Sequence, residues 1–316
     1  MRISDFKLAA SDFATFGRGL RRPECVWIDA EAVWVSDERG GVARVRADDE
    51  PELRGSGIAD PNGFSRRPDG SFVVAGLSDG ALHLIARDGA TRRMLDSIDG
   101  KALGTVNYAC ADGLDRIWVS VMTRALPWHA ALTTTVTDGY IVRVEDNGAH
   151  CSIVADGLDL TNEVKVSPDG RYLYAAETFG CRIARFPIRA DGSLGAKEIF
   201  GPSSLGRGAF PDGITFDAAG NLWITTICQN GLIVLDPKGN LHVVFSDPVD
   251  AAVDAIARGV EERNGALEQL GACASPDGPL RLPTSIAFGA RDGRTAFVGN
   301  LLSPHLPTFR LPQNLA

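Results

Sequence analysis

The sequence has no stretch of about 18 consecutive apolar residues, so no membrane-spanning helix and no membrane partner are expected. It has no run of lysine or arginine, and its formal net charge is −8. Nucleic-acid binding needs clustered cations to meet phosphates, so a nucleic-acid partner is not expected either. The six cysteines, at 25, 110, 151, 181, 228 and 273, form no CxxC pair. Isolated cysteines in a chain of this length are buried thiols more often than disulfides or zinc ligands. The opening stretch MRISDFKLAASDF carries charges where an export signal needs an apolar run. A cytoplasmic protein with a small-molecule partner is the expectation.

What is present is a repeat. Residues 210–223 read FPDGITFDAAGNLW: an acidic turn, an apolar run and a glycine turn leading to an aromatic residue. Related stretches are PECVWIDAEAVWVS at 23–36, PNGFSRRPDGSFVVA at 61–75, VNYACADGLDRIWVS at 106–120, TNEVKVSPDGRYLYAA at 161–176 and PTSIAFGARDGRTAFV at 283–298. Aligned on Trp34, Val73, Trp118, Tyr174, Trp223 and Phe297, the copies are spaced by 39, 45, 56, 49 and 74 residues. Each copy is a hairpin pattern of two runs rich in β-branched and aromatic residues. Most continue into a third run, such as GGVARV after Trp34 or GLIVL after Trp223. About four strands per repeat at a period of roughly 40 to 50 residues describe propeller blades.

The fold expected is therefore all-β, a six-bladed β-propeller forming one domain over residues 1–316. The 35 glycines and 17 prolines suit its many turns. The last copy ends soon after its third strand, HLPTFRL, and an exposed sheet edge invites aggregation. Residues 3–16 are the available donor of the missing outer strand, so the N-terminal strand is expected to close the ring.

Counting back from the aligned second-strand residues, one address at the start of each first strand holds Glu24, Asn62, Asn107, Asn162 and Asp212, with Thr284 or Ser285 in the sixth copy. First strands of a propeller surround its central channel, so this address becomes a ring of oxygen donors. An aspartate or asparagine here can be a plain turn former; Glu24 cannot, since glutamate is a poor one. Two carboxylates facing amides in a confined channel are costly unless paired, and a hard divalent cation relieves that cost. The donor set suits Ca²⁺, Mg²⁺ or Mn²⁺ by hardness. The absence of His and Cys argues against the usual tetrahedral zinc site without removing zinc as an alternative.

The blade openings PECVW, TVNYACADGLDRIW, GLDLTNEV and FPDGITFDAAGNLW resemble those of the senescence-marker-protein/gluconolactonase family, which includes regucalcin, bacterial sugar lactonases and the squid diisopropyl fluorophosphatase. The resemblance implies a metal-dependent lactonase in which Glu24, Asn107, Asn162 and Asp212 hold one divalent ion, calcium first among the candidates. Asp212 is then also the candidate base that takes a proton from the attacking water. The family's R-x-N-D-G is T-V-N-Y-A here, so Thr105 replaces an arginine that contacts sugar hydroxyls and Tyr108 replaces an aspartate. That departure points away from polyhydroxylated lactones and towards more apolar ones.

Strand alternation places the entries to the first strands and the connections between second and third strands at one end. Two insertions stand on that active-site rim, 122–139 with Trp128 and His129, and 245–282. In the second, Val249, Val253, Ile256 and Val260 have helical spacing, which predicts a helical lid before the last blade. Asn62, Tyr108, Trp128, His129 and His305 are the substrate-contact candidates. A lactone- or ester-opening hydrolase leads; a metal-dependent isomerase, retro-aldolase or lyase, and a binding propeller with a structural metal, are the alternatives.

Overall fold

The computed structural model describes residues 2–315 apart from 31, 48, 134–136, 290–292 and 314. Residues 134–136 of the first expected insertion, and the expected turn at 290–292 in the sixth repeat, lie outside the described residues. Among the described residues the chain builds six four-stranded antiparallel sheets in sequence order around a ring. The innermost strands are Val26–Ile28, Pro61–Arg66, Thr105–Ala111, Thr161–Val166, Pro211–Phe216 and Pro283–Gly289.

The hairpin joining the first two strands of a blade has a recurrent chemistry. Asp217 Oδ1 accepts the N–H groups of Ala219 and Asn221, both at 2.9 Å, while Oδ2 accepts the Asn221 amide at 2.8 Å and the Trp223 indole N–H at 2.9 Å. Asp112 takes the Trp118 indole at 3.0 Å and Asp29 the Trp34 indole at 3.3 Å. These aspartates fix the turn through their own backbone and satisfy the one polar atom of a tryptophan that is otherwise core. Trp118 and Trp223 are fully buried.

Apolar side chains fill the spaces between neighbouring blades. One cluster carries Trp34, Phe64, Phe72, Trp118 and Leu173 from the first four blades. Another joins the fifth and sixth blades through Trp223, Ile286, Val298 and Phe309. The ring closes as expected: Ala14–Phe16 pairs with Leu306–Arg310, Ala14 opposite Thr308 and Phe16 opposite Leu306. The strand is only three residues long, and the rest of the N-terminal segment works by packing. Phe6 meets Trp223 edge-on at 6.2 Å, and Phe13 sits 4.9 Å from Phe245 and 5.6 Å from Phe309.

The insertion before the last blade forms the helix Asp250–Glu262 and a 3₁₀ segment, Ala266–Cys273. Val253, Ile256 and Ala257 are its buried face, Val260 is partly buried and Val249 caps the helix. They pack against Leu132 of the 3₁₀ turn Trp128–Thr133 and against Phe210, Ile227 and Cys228 of the fifth blade. The two insertions thus share one apolar cluster over one side of the ring's mouth. No helix among the described residues is long and apolar enough to cross a membrane.

Candidate functional site at the channel mouth

The ring address is a break in each sheet. The pairing register of first and second strands slips between Pro61 and Phe64, on both sides of Val106 with the second slip spanning Asn107, between Thr161 and Val164, between Pro211 and Ile214, and between Pro283 and Ser285. A β-bulge re-aims a side chain that alternation would otherwise direct into the sheet. In the first blade the paired strand begins at Val26, after Glu24. The six residues at the address leave the ladder together.

Just before each of them the backbone is left-handed. Arg22, Asp60, Leu160, Phe210 and Leu282, two residues ahead of the address, have φ of 50°, 48°, 56°, 40° and 57°, and Gly104, three ahead of Asn107, has 95°. For non-glycine residues this conformation is strained and persists only where the surroundings enforce it. The enforcing bond is visible in four blades. The carbonyls of Asp60, Leu160, Phe210 and Leu282 accept the N–H groups of Leu77, Thr178, Ile227 and Leu301 at 3.1 to 3.3 Å. Gly213, after Asp212, has no room for a side chain, since a Cβ would come 2.4 Å from the Thr284 carbonyl oxygen. The inner strands approach each other closely because of it.

A cavity of about 350 Å³ is lined by all six residues of the address: Glu24, Asn62, Asn107, Asn162, Asp212 and Thr284. The sixth copy thus contributes Thr284 and not Ser285, and the Thr284 hydroxyl donates to the Glu24 carbonyl at 2.6 Å. Four of the six keep a buried oxygen without a hydrogen-bond partner: Glu24 Oε2, Asn107 Oδ1, Asn162 Oδ1 and Asp212 Oδ1. Their orientation has a cause at Asn162, whose amide N–H donates to Thr178 Oγ1 at 3.3 Å and leaves the oxygen free. Asn62 is committed otherwise, donating to the Asn107 carbonyl at 3.0 Å and accepting from Arg22 at 2.9 Å. It braces the ring.

Burial pushes the Glu24 and Asp212 carboxyls well above the usual carboxylate range; Arg22 opposes the shift in both, and each carboxylate's nearness to other acids, including Glu163, adds to it. Buried polar groups are normally paired, and native proteins leave few orphans. Among the described residues no three His, Cys, Asp or Glu side chains gather as metal ligands. The set at the cavity is two carboxylates and two amides, whose four oxygens suit a hard cation.

Beneath the address lies a second polar level. Glu163 is buried, accepts the Ile214 N–H at 2.9 Å through one oxygen and leaves the other without a partner. Burial raises its carboxyl to about 7 against the pull of the Lys165 ammonium. Lys165 donates to the Tyr108 hydroxyl at 3.1 Å. Tyr108 is 1% exposed and lies over Gly63, where a Cβ would come 2.1 Å from its ring. Thr105, where an arginine was the family expectation, is buried, and its hydroxyl donates to the Ala125 carbonyl at 2.7 Å.

Of the expected substrate contacts, Asn62 and Trp128 line the cavity. Tyr108 stands behind it. His129 is exposed on the 3₁₀ turn, its ring 6.4 Å from Trp128, and His305 lies beside a different hollow, lined by Phe13, Pro279 and Arg281. Sequence reading missed Arg22 and Asp60 of the left-handed positions, and Glu163 beneath the ring. The first two occupy one further column of the same repeat alignment, two places before the ring. Leu77, Met122, Leu160, Phe210, Ile227 and Leu301 belong to the apolar part of the lining.

Comparison with known proteins agrees with the propeller fold. A 6-deoxy-6-sulfogluconolactonase of Pseudomonas putida is 25% identical over 74% of this chain and 67% of its own length. A gluconolactonase from Xanthomonas campestris superposes with a TM-score of 0.70 at 21% identity, covering 95% of this chain and 89% of its own. The regucalcin of Agrobacterium tumefaciens, described as a calcium-binding protein, gives 0.65 at 17% identity and 93% coverage of both chains. At these identities the structural likeness concerns the fold. Residues 23–264 match the family model described as SMP-30/Gluconolactonase/LRE-like region, and the chain belongs to that family.

Proposed function

We propose that this protein is a divalent-metal-dependent hydrolase that opens a small lactone or related ester at the channel mouth. The observation that carries this reading is the group of four partnerless, buried oxygens, Glu24 Oε2, Asn107 Oδ1, Asn162 Oδ1 and Asp212 Oδ1, lining one cavity. An unpaired buried acceptor costs about 1 to 3 kcal/mol, and four around one cavity call for a ligand that satisfies them together. Family membership and the 6-deoxy-6-sulfogluconolactone named for the Pseudomonas relative support the substrate class. The calcium named for the Agrobacterium relative makes calcium the first ion to test, with Mn²⁺, Mg²⁺ and Zn²⁺ as alternatives.

A bound divalent ion supplies Lewis-acid polarisation of the substrate carbonyl and offsets the two carboxylate charges. The chain's own residues do the rest. Glu24, Asn107, Asn162 and Asp212 would hold the ion. Asp212, steadied by the amide of Asn162, accepts the proton of the attacking water. Asn62 keeps its neighbour's carbonyl in place, while Trp128 and Leu270 form part of the wall that limits water entry.

The test is elemental analysis of the purified protein, followed by a panel of lactones and small esters at neutral pH before and after chelation. Hydrolysis that disappears with the metal and returns on its addition is the expected result. Bound metal with no turnover of any lactone or ester would overturn the reading.

A further inference from the structure

The cavity holds one basic side chain among its described lining residues, Arg22, and it stands on the left-handed position ahead of Glu24. Its guanidinium is seated on the second blade, donating to the Pro61 carbonyl at 3.3 Å and to Asn62 Oδ1 at 2.9 Å. Those two bonds fix the plane of the group and use two of its five N–H donors. Arg22 makes no ion pair among the described residues. The acid nearest in the repeat, Asp60, also lines the cavity, and its carboxylate accepts the hydroxyl of Ser78.

The charges divide unevenly. Arg22 acts on Glu24 and Asp212 across the cavity, and a divalent cation held by those two carboxylates would take over that compensation. A half-buried guanidinium with unused donors is then left facing the substrate space. Guanidinium groups are weakly hydrated and bind carboxylate, sulfonate and phosphate oxygens through paired N–H bonds. Away from Arg22, blades four and five add the apolar side chains of Leu160, Phe210 and Ile227 to the lining. One side of the cavity suits an anion and the other a hydrocarbon surface.

We propose that the substrate is a lactone or ester bearing an anionic group, and that Arg22 is the residue that selects it. The inference rests on the hydrolase reading above for the reacting bond, and on Arg22 for the anion. It replaces the lost arginine of the third blade with one from the first. The ligand is thereby turned so that its charge faces blades one and two, and its apolar part faces blades four and five.

The measurement is calorimetric binding of matched lactams, which are not hydrolysed. One series carries a carboxylate, a sulfonate or a phosphate and the reference carries a neutral carboxamide, each tested on the metal-loaded and the chelated full chain. The metal-loaded protein should favour at least one anionic lactam over the neutral one by about tenfold or more, the scale of a charge-assisted bond. The ratio should fall towards one in Arg22→Gln, persist in part in Arg22→Lys, and rise in Asp60→Asn. It should also shrink with added salt, which tests the same charge without any substitution. A ratio near one in the unsubstituted protein for all three anions, or a ratio unchanged in Arg22→Gln, overturns the proposal. Because the probes are not substrates, failure of the lactone panel and failure of this ratio are separate results.

Discussion

Asp212 and Asp217 lie five residues apart on one edge of the fifth blade and share almost nothing. Asp217, at the hairpin end, has both oxygens filled by four donors. Asp212, at the cavity end, keeps Oδ1 buried and without a partner. The same contrast recurs among the described residues: the hairpin ends of blades one, three and five are closed with aspartate caps and indole bonds, while the cavity ends carry left-handed backbone, broken register and orphan acceptors. One end of the propeller is built to satisfy itself. The other is left incomplete on the side where a ligand enters.

Substituting each aspartate in turn should separate the two ends of the blade. Asp212→Asn keeps the volume and one acceptor but removes charge and basicity. Turnover should fall by about 10² or more, the range for losing a positioned acid–base group, with the melting temperature equal to or above that of the parent. Rate constants unchanged in the variant would remove Asp212 from the mechanism. Asp217→Ala should do the reverse. It strands four donors, of which the Trp223 indole and the Asn221 groups are buried, and should cost roughly 3 kcal/mol of stability while leaving kcat/KM per folded molecule alone.

The N-terminal segment tests the closure of the ring in which both ends are set. Deleting residues 1–16 removes the strand paired with Leu306–Arg310 and uncovers Trp223, Phe245 and Phe309. An open edge beside an exposed aromatic cluster should give aggregation or a large fall in melting temperature. A soluble truncated protein melting with the parent would show that the six sheets hold together by interblade packing alone.

Much of this was legible from the residue pattern. The period, the aromatic second-strand position and the recurring oxygen-bearing address are side-chain features that survive divergence between repeats, and they led to the six sheets and to the ring from Glu24 to Thr284. The closing strand followed from counting strands in the last copy. The spacing of Val253, Ile256 and Val260 announced the helix.

What escaped was set by backbone. Arg22, Leu160 and Phe210 adopt a left-handed conformation that their residue types do not advertise; at Leu160 and Phe210 the strain is imposed by the carbonyl bonds of the neighbouring loops, and at Arg22 the carbonyl accepts the Glu24 N–H at 2.7 Å. Tyr108 is a substrate-contact candidate because it stands in place of the family's aspartate, but the bulge at that position turns it behind the cavity to Lys165. Glu163 is a polar residue after a ring residue, where the fifth blade has Gly213, and nothing in a single copy separates it from a surface glutamate. Strand alternation puts His129 and His305 on rim loops, but it does not fix which way a loop side chain points, and neither lines the cavity.

The smallest expected effect sharpens the comparison on the open side. Trp128 belongs to the 3₁₀ turn Trp128–Thr133, lines the cavity and packs on the apolar cluster shared with the helix Asp250–Glu262. It touches none of the four orphan oxygens in any bond described here, so its part is in covering the ligand. Trp128→Ala should raise KM for lactones with an apolar substituent by about fivefold, roughly 1 kcal/mol of lost apolar contact for a ring only partly buried. The affinity for the divalent ion, measured by calorimetry on chelated protein, should stay as it was. The effect should be weaker for a lactone without the apolar substituent, because that part of the wall would then be facing water. Equal losses for both lactones, or a loss of metal affinity, would place Trp128 with the self-satisfied framework and take it out of the ligand's enclosure.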